Sequence, residues 1–137
     1  MELNNIRNAE LHNVAAGSRR EVRPLYTNSN MDTDRFSLRK GAIIRGYVQV
    51  MPLDDILSSL NRVDFMKVDV EGFEYDVLLG AEDILKATGY LMIEVFRNNL
   101  AGVLNLLKRK GFKVLDMVKY DGEHPRYNIL FRNTKIV

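Results

Sequence analysis

Between residues 63 and 96 the apolar pattern changes period twice, and that change restricts the chain to one broad class of fold. Val63 to Val70 is a short run whose apolar members, Val63, Phe65, Met66, Val68 and Val70, fit a strand covered on both faces. Phe73 to Lys86 then carries Phe73, Val77, Leu78, Ala81, Ile84 and Leu85 at spacings of three and four, as a helix with one buried face requires. Gly89 stops that helix, and Tyr90 to Phe96 reads as a second buried strand. Strand, helix, strand is the unit of a parallel sheet, because the helix carries the chain back to the end where the first strand began.

The flanks extend this pattern. Leu3 and Ile6 look like the tail of a helix ended by the Asn4 to Asn8 cluster, and Ala9 to Ala16 reads as a short strand closing at Gly17. Glu21 to Tyr26 and Ile44 to Val50 are further strands, separated by a polar loop around Asn28 to Asp34. Pro52 opens a helix with Asp54 and Asp55 at its positive end and an apolar stripe of Ile56, Leu57 and Leu60. Leu100 to Lys110 is another helix, with Lys108, Arg109 and Lys110 at its negative end and Gly111 as its terminator. Phe112 to Val118 and Tyr127 to Phe131 then make an antiparallel hairpin across Asp121 to Pro125. The expected fold is a single α/β domain over residues 1–137, its sheet mainly parallel with an antiparallel C-terminal hairpin.

Composition removes several function classes. With no cysteine among 137 residues, thiolate zinc sites, iron–sulfur clusters and cysteine nucleophiles are excluded. Two distant histidines make no histidine-rich metal site, which leaves open metal chemistry of the oxygen-ligand kind, and no residue set is assigned to a metal. No apolar run approaches the roughly 20 residues of a membrane-spanning helix, and the polar N-terminus is no signal peptide, so the expectation is a cytoplasmic protein without a membrane partner. The net charge of +2 hides an uneven distribution: residues 54–96 hold ten acidic and three basic side chains. The basic run at 108–110 has no interleaved aromatics, and nucleic acid is not an expected partner.

In an open α/β sheet, ligands bind beyond the carboxyl ends of the strands. Asp69, Glu71 and Gly72 occupy that position after the first buried strand. Two carboxylates one residue apart suit a hard cation, a substrate hydroxyl or a proton acceptor, and the simpler alternative is that one of them caps the following helix. Glu94 lies inside the apolar strand Leu91-Met92-Ile93-Glu94-Val95-Phe96, where a carboxylate needs a charged partner or a wet cleft. His124, in the hairpin linker, is a loop histidine whose simplest role is a solvated turn residue; His12, in a strand, reads as structural.

Four stretches carry a family likeness: Leu53-Asp54-Asp55-Ile56-Leu57, Asp64-Phe65-Met66-Lys67-Val68-Asp69-Val70-Glu71-Gly72-Phe73-Glu74, Val77-Leu78-Leu79-Gly80-Ala81 and Ile93-Glu94-Val95. Together they resemble the FkbM family of S-adenosylmethionine-dependent methyltransferases, and Ile6 to Ala15 resembles that family's third-strand region. The resemblance implies a Rossmann-like sheet of seven strands, here in truncated form, and methyl transfer from S-adenosylmethionine to a hydroxyl of a small-molecule acceptor. It also implies site roles: Asp69 and Glu71 beside the cofactor's reactive end and the acceptor, Asn13, Val14 and Ala15 near the adenine, and Glu94, ending the fifth strand, on the acceptor side.

Family members begin with a strand, a glycine-rich turn and a second strand ending in an acid. Gly17, Gly41, Gly46 and Gly72 form no such turn, so this chain alone is not expected to hold the cofactor at full affinity. The alternative function is therefore a binding or assembly module that keeps the fold without catalysis, or a truncated product with no independent role. The missing first strand would leave the Val63 to Val70 strand with an open edge that invites pairing. A second copy, a separate N-terminal partner chain, or the Ala9 to Ala16 strand would cover it, and oligomerisation is the leading expectation.

Overall fold

The computed structural model describes residues 6–27, 43–122 and 125–137. Within them the chain forms β1 (Ala15–Ala16), β2 (Glu21–Thr27), β3 (Ile43–Met51), α1 (Leu53–Ile56), β4 (Val63–Val68), α2 (Glu74–Leu79), α3 (Glu82–Lys86), β5 (Thr88–Phe96), α4 (Arg97–Lys110), β6 (Phe112–Tyr120) and β7 (Arg126–Asn133). Leu3, the loop at 28–34, Gly41 and His124 lie outside the described residues.

The strands form two sheets, in the orders β1-β3-β2 and β4-β5-β7-β6. β4 and β5 are parallel neighbours joined through α2 and α3, as the period changes require, with Val68 opposite Ile93. The expected mainly parallel sheet does not form: β5 pairs with β7, and β7 with β6, both antiparallel. The cause is the order of the last three elements. α4 delivers β6 one place beyond β5, and the short linker folds β7 back into the gap, which a tight connection can do only antiparallel. The smaller sheet is mixed as well, with β1 parallel and β2 antiparallel to β3.

Among the described residues, only one face of the four-stranded sheet is covered. Met66, Val68, Leu91, Ile93, Val95, Ile129 and Phe131 point at Val77, Leu78, Leu85, Val103 and Leu107 of the helices and are buried with them. The alternate residues face the other way: Phe65 and Tyr90 are exposed, and Met92, Glu94 and Phe96 are half-buried. Strand alternation puts every second side chain on the uncovered side, where the helices do not reach. β4 is an end strand, and among the described residues nothing pairs with its outer edge.

The helix expected over 73–86 is broken into α2 and α3 at Gly80 and Ala81. The Gly80 carbonyl accepts from the Asp54 amide at 3.1 Å, while the Asp54 carboxylate accepts from the Asp83 and Ile84 amides at 2.8–3.0 Å. Ile84 is the donor that would have continued the helix onto Gly80, so the break is filled from α1. A Cβ on Gly80 would stand 1.9 Å from the Gly17 carbonyl oxygen, and only glycine admits that approach. α3 also ends before Gly89, at Ala87, and Gly89 lies inside β5.

The strand expected over 9–16 shrinks to Ala15–Ala16, the two residues that pair with Val50 and Met51. Leu11 and His12 are exposed, and His12 Nε2 lies 3.3 Å from Glu10 Oε1 instead of in a strand. Ala, Asn and Glu are weak strand formers, and this segment lacks a second partner to compensate. β1 joins β3 and does not cover the β4 edge. Leu60, expected on an apolar stripe, is exposed because α1 is only one turn long.

Candidate functional site

Parallel register brings the acids together. Val68 is opposite Ile93, and one residue further along each strand Asp69 comes level with Glu94 on the face away from the helices. Carboxylate oxygens of Asp69, Glu71 and Glu94 all lie within 4.8 Å of one another. Asp69 is exposed and the other two are half-buried, so the group opens to solvent at the carboxyl end of the parallel pair. β5 continues two residues past Glu94, whose place is within the strand and not at its end.

Asp69 and Glu94 are each paired with a cation. Lys67 Nζ is 2.9 Å from Asp69 Oδ2, and Arg126 on β7 is 3.3 Å from Glu94 Oε1. Burial pushes the Glu94 carboxyl above the usual glutamate range; Arg126 opposes the shift, and the nearby charges of Asp69 and Glu71 add to it. Three carboxylates at this spacing offer oxygen ligands of the kind hard divalent cations take, and they also suit hydrogen bonding to a hydroxyl and acceptance of its proton.

Glu71 reaches this position through a strained turn. Its φ is +48°, that of Gly72 is +95°, and the Phe73 amide donates to the Val70 carbonyl at 3.3 Å. Two consecutive positive φ values inside such a bond are the marks of a type I′ turn, which glycine tolerates and glutamate does not, at a cost of about 1–2 kcal/mol. The acids do not cap α2: its N-cap is Phe73, with no side-chain cap bond. That removes the simpler explanation for a carboxylate here.

Two residues that sequence reasoning did not single out surround the turn. Glu74 is fully buried; its Oε1 accepts from the Gly72 amide at 2.5 Å and its Oε2 from Asn99 Nδ2 at 2.6 Å. Asn99, in the first turn of α4, also donates to the Gly72 carbonyl at 3.0 Å. The available signal was an acid on the buried face of a helix, adjacent to an apolar position where a carboxylate must be matched.

The residues expected near a cofactor are less concentrated. Asn13 is exposed, Val14 and Ala15 are half-buried, and Ala15 belongs to the smaller sheet. That strand runs into Gly17, which packs against Phe73 just after the acid-bearing turn, while Ser18 donates from its amide and hydroxyl to Asp76 at 3.1 and 2.9 Å. Arg23 on β2 lies over the Phe73 ring at 4.9 Å. The smaller sheet thus forms the side wall of the corner.

The family model for the methyltransferase FkbM domain matches residues 3–114, which include both sheets' parallel strands and all three acids. The chain belongs to the FkbM methyltransferase domain family. No curated protein and no solved structure matches it. Membership in the FkbM family attaches methyl-transfer chemistry to the fold, and the acid group lies inside the matched region. Gly17 and Gly80 pack closely: a Cβ on Gly80 would meet the Gly17 carbonyl, and one on Gly17 would meet Val50 and Phe73. No helix among the described residues is long and apolar enough to cross a membrane.

Proposed function

We propose that this FkbM-family chain is an S-adenosylmethionine-dependent O-methyltransferase, or the acceptor-side part of one, with a Rossmann-like arrangement about β4 and β5 and acting on a hydroxyl of a small molecule. The observation that carries the reading is the meeting of Asp69, Glu71 and Glu94 within 4.8 Å at the carboxyl ends of β4 and β5. S-adenosylmethionine, when bound, supplies an electrophilic methyl group. The chain's own residues would do the rest: Asp69 holds Lys67, whose ammonium donates to the acceptor oxygen and orients it, and Glu94 accepts the hydroxyl's one hydrogen bond and takes its proton as the oxygen attacks the methyl carbon and the methyl–sulfur bond breaks. A carboxyl held above its usual range is a better proton acceptor near neutral pH than an ordinary glutamate.

The grip on the nucleoside would come partly from Asn13, Val14 and Ala15 and partly from a second chain, either another copy or an N-terminal partner, docked at the β4 edge and the uncovered sheet face. The exposed Phe65 and Tyr90 on that face support an assembly. A binding module without catalysis is the second reading, favoured by the packed state of Gly17 and Gly80.

Calorimetric titration with S-adenosylmethionine separates the two. Micromolar binding supports the enzyme; no heat at millimolar cofactor favours the module. In a methyl-transfer assay, Asp69→Asn should lower turnover by about tenfold or more if its hold on Lys67 orients the oxygen. Unchanged turnover would remove Asp69 from the mechanism.

A further inference from the structure

We propose that Glu74 and Asn99 are positioning residues, a buried clamp that holds the Glu71–Gly72 turn in its left-handed form and thereby sets the spacing of the three acids. The proposal rests on the reading of those acids as the acceptor site, but the clamp itself can be tested without turnover.

The acids come from two corners of the fold. The β4–α2 corner carries Asp69 and Glu71, and the β5–α4 corner carries Glu94. Glu74 belongs to the first corner and Asn99 to the second, and the bond from Asn99 Nδ2 to Glu74 Oε2 joins the two. Both backbone groups of Gly72 are taken up by this pair, the amide by Glu74 Oε1 and the carbonyl by Asn99 Nδ2. The turn therefore cannot flip its Gly72 peptide groups without breaking bonds on both sides. A glutamate with φ of +48° persists only where its surroundings over-determine it, and these bonds are such surroundings.

Burial argues for the same role. An exposed serine or aspartate at the N-cap would satisfy the start of α2, yet this chain places a carboxylate at zero exposure one residue further in. That placement is costly unless both oxygens are matched, and they are matched by groups of the turn and of α4. Gly102, three residues after Asn99, keeps the corners close: a Cβ there would stand 3.1 Å from the Tyr75 ring on α2. Asn99 and Gly102 thus bring α4 against α2, and the hydrogen bonds convert that contact into a fixed turn.

The test uses the full chain and Asn99→Ala, which keeps α4's helix propensity while removing both donated bonds. The readout is the left-handed signature of Glu71 in NMR, its HN–Hα coupling and Cβ shift, recorded beside a thermal melt. The expected result is a cooperative melt lowered by about 3–8 °C, with the left-handed signature averaged away. Where the wild-type chain turns over, kcat should fall by about tenfold to a hundredfold with KM little changed. A melt that falls while Glu71 keeps its signature overturns the clamp, since a purely structural bond would behave that way. Glu74→Gln serves if Asn99→Ala does not fold: its amide faces a second donor, and the same loss of signature is expected. Absence of methyl transfer by the wild-type chain would count against the proposed function, while the NMR signature would still decide for or against the clamp.

Discussion

The two faces of the four-stranded sheet divide stability from chemistry. On the helix-covered face, Leu91, Ile93, Val95 and Ile129 are fully buried and apolar. On the other face the same strands carry Lys67, Tyr90, Glu94 and Arg126, exposed or half-buried, and the acid-bearing turn stands at their end in a strained conformation. Free energy from burial on one side supports an arrangement on the other that would not hold by itself. The contrast teaches that the carboxylates are tolerated because they lie where the core does not need them.

The largest effect expected from this contrast is in the core. At dilutions where the chain is monomeric, Leu91→Ala should cost about 2–5 kcal/mol in urea unfolding, whereas Phe65→Ala, on the open face of β4, should cost no more than about 1 kcal/mol. Equal costs would show that the open face is covered in solution and break the contrast. Gly80→Ala comes next, at about 1–3 kcal/mol, because its methyl would meet the Gly17 carbonyl, a backbone atom that no rotamer change moves aside. A melt unchanged by that substitution would mean that the smaller sheet is not seated against the α2–α3 break.

Two smaller effects sharpen the comparison on the open face. Glu71→Asn introduces a residue that accepts positive φ and should raise stability by up to about 1 kcal/mol while lowering methyl transfer, the opposite signs expected where strain serves a site. Loss of both stability and activity would argue that Glu71 is structural. For Glu94, the raised folded-state value means that its contribution to stability is fully present below the ordinary glutamate range and is lost as pH rises through the raised value. Glu94→Gln should therefore gain stability relative to wild type at neutral pH, with the gain shrinking in acid. Urea midpoints at pH 4 and 7 measure this, and a difference independent of pH would contradict the shift. The proton-acceptor role adds that the acid limb of the turnover profile should lie above the usual glutamate range and move down in Glu71→Gln, which removes one of the repelling charges.

Much of the fold was legible locally. The strands read at 63–70 and 90–96 and found at 63–68 and 88–96, α4 with its basic last turn and its Gly111 stop, and the terminal hairpin follow from period, capping and turn residues, all read from near neighbours. Asp69 and Glu71 were visible as acids at a strand end, and Glu94 as an acid out of place in an apolar strand. The misreadings share a cause. The helix at 73–86 has unbroken periodicity, yet it breaks because Asp54 and Gly17, far away in the chain, compete for its backbone and its space. Phe65 looks like a core residue in the sequence, but burial depends on whether anything lies across that face.

By itself, then, the sequence determined the α/β class, the family and the identity of the three acids, because these depend on side-chain periodicity and on residue types at fixed short spacings. Only the tertiary structure decided that Glu94 meets Asp69 across 25 residues, that Glu74 and Asn99 close on Gly72, and that among the described residues the helices cover one sheet face. Strand register and helix packing set those contacts, and neither is written in any local window of the chain.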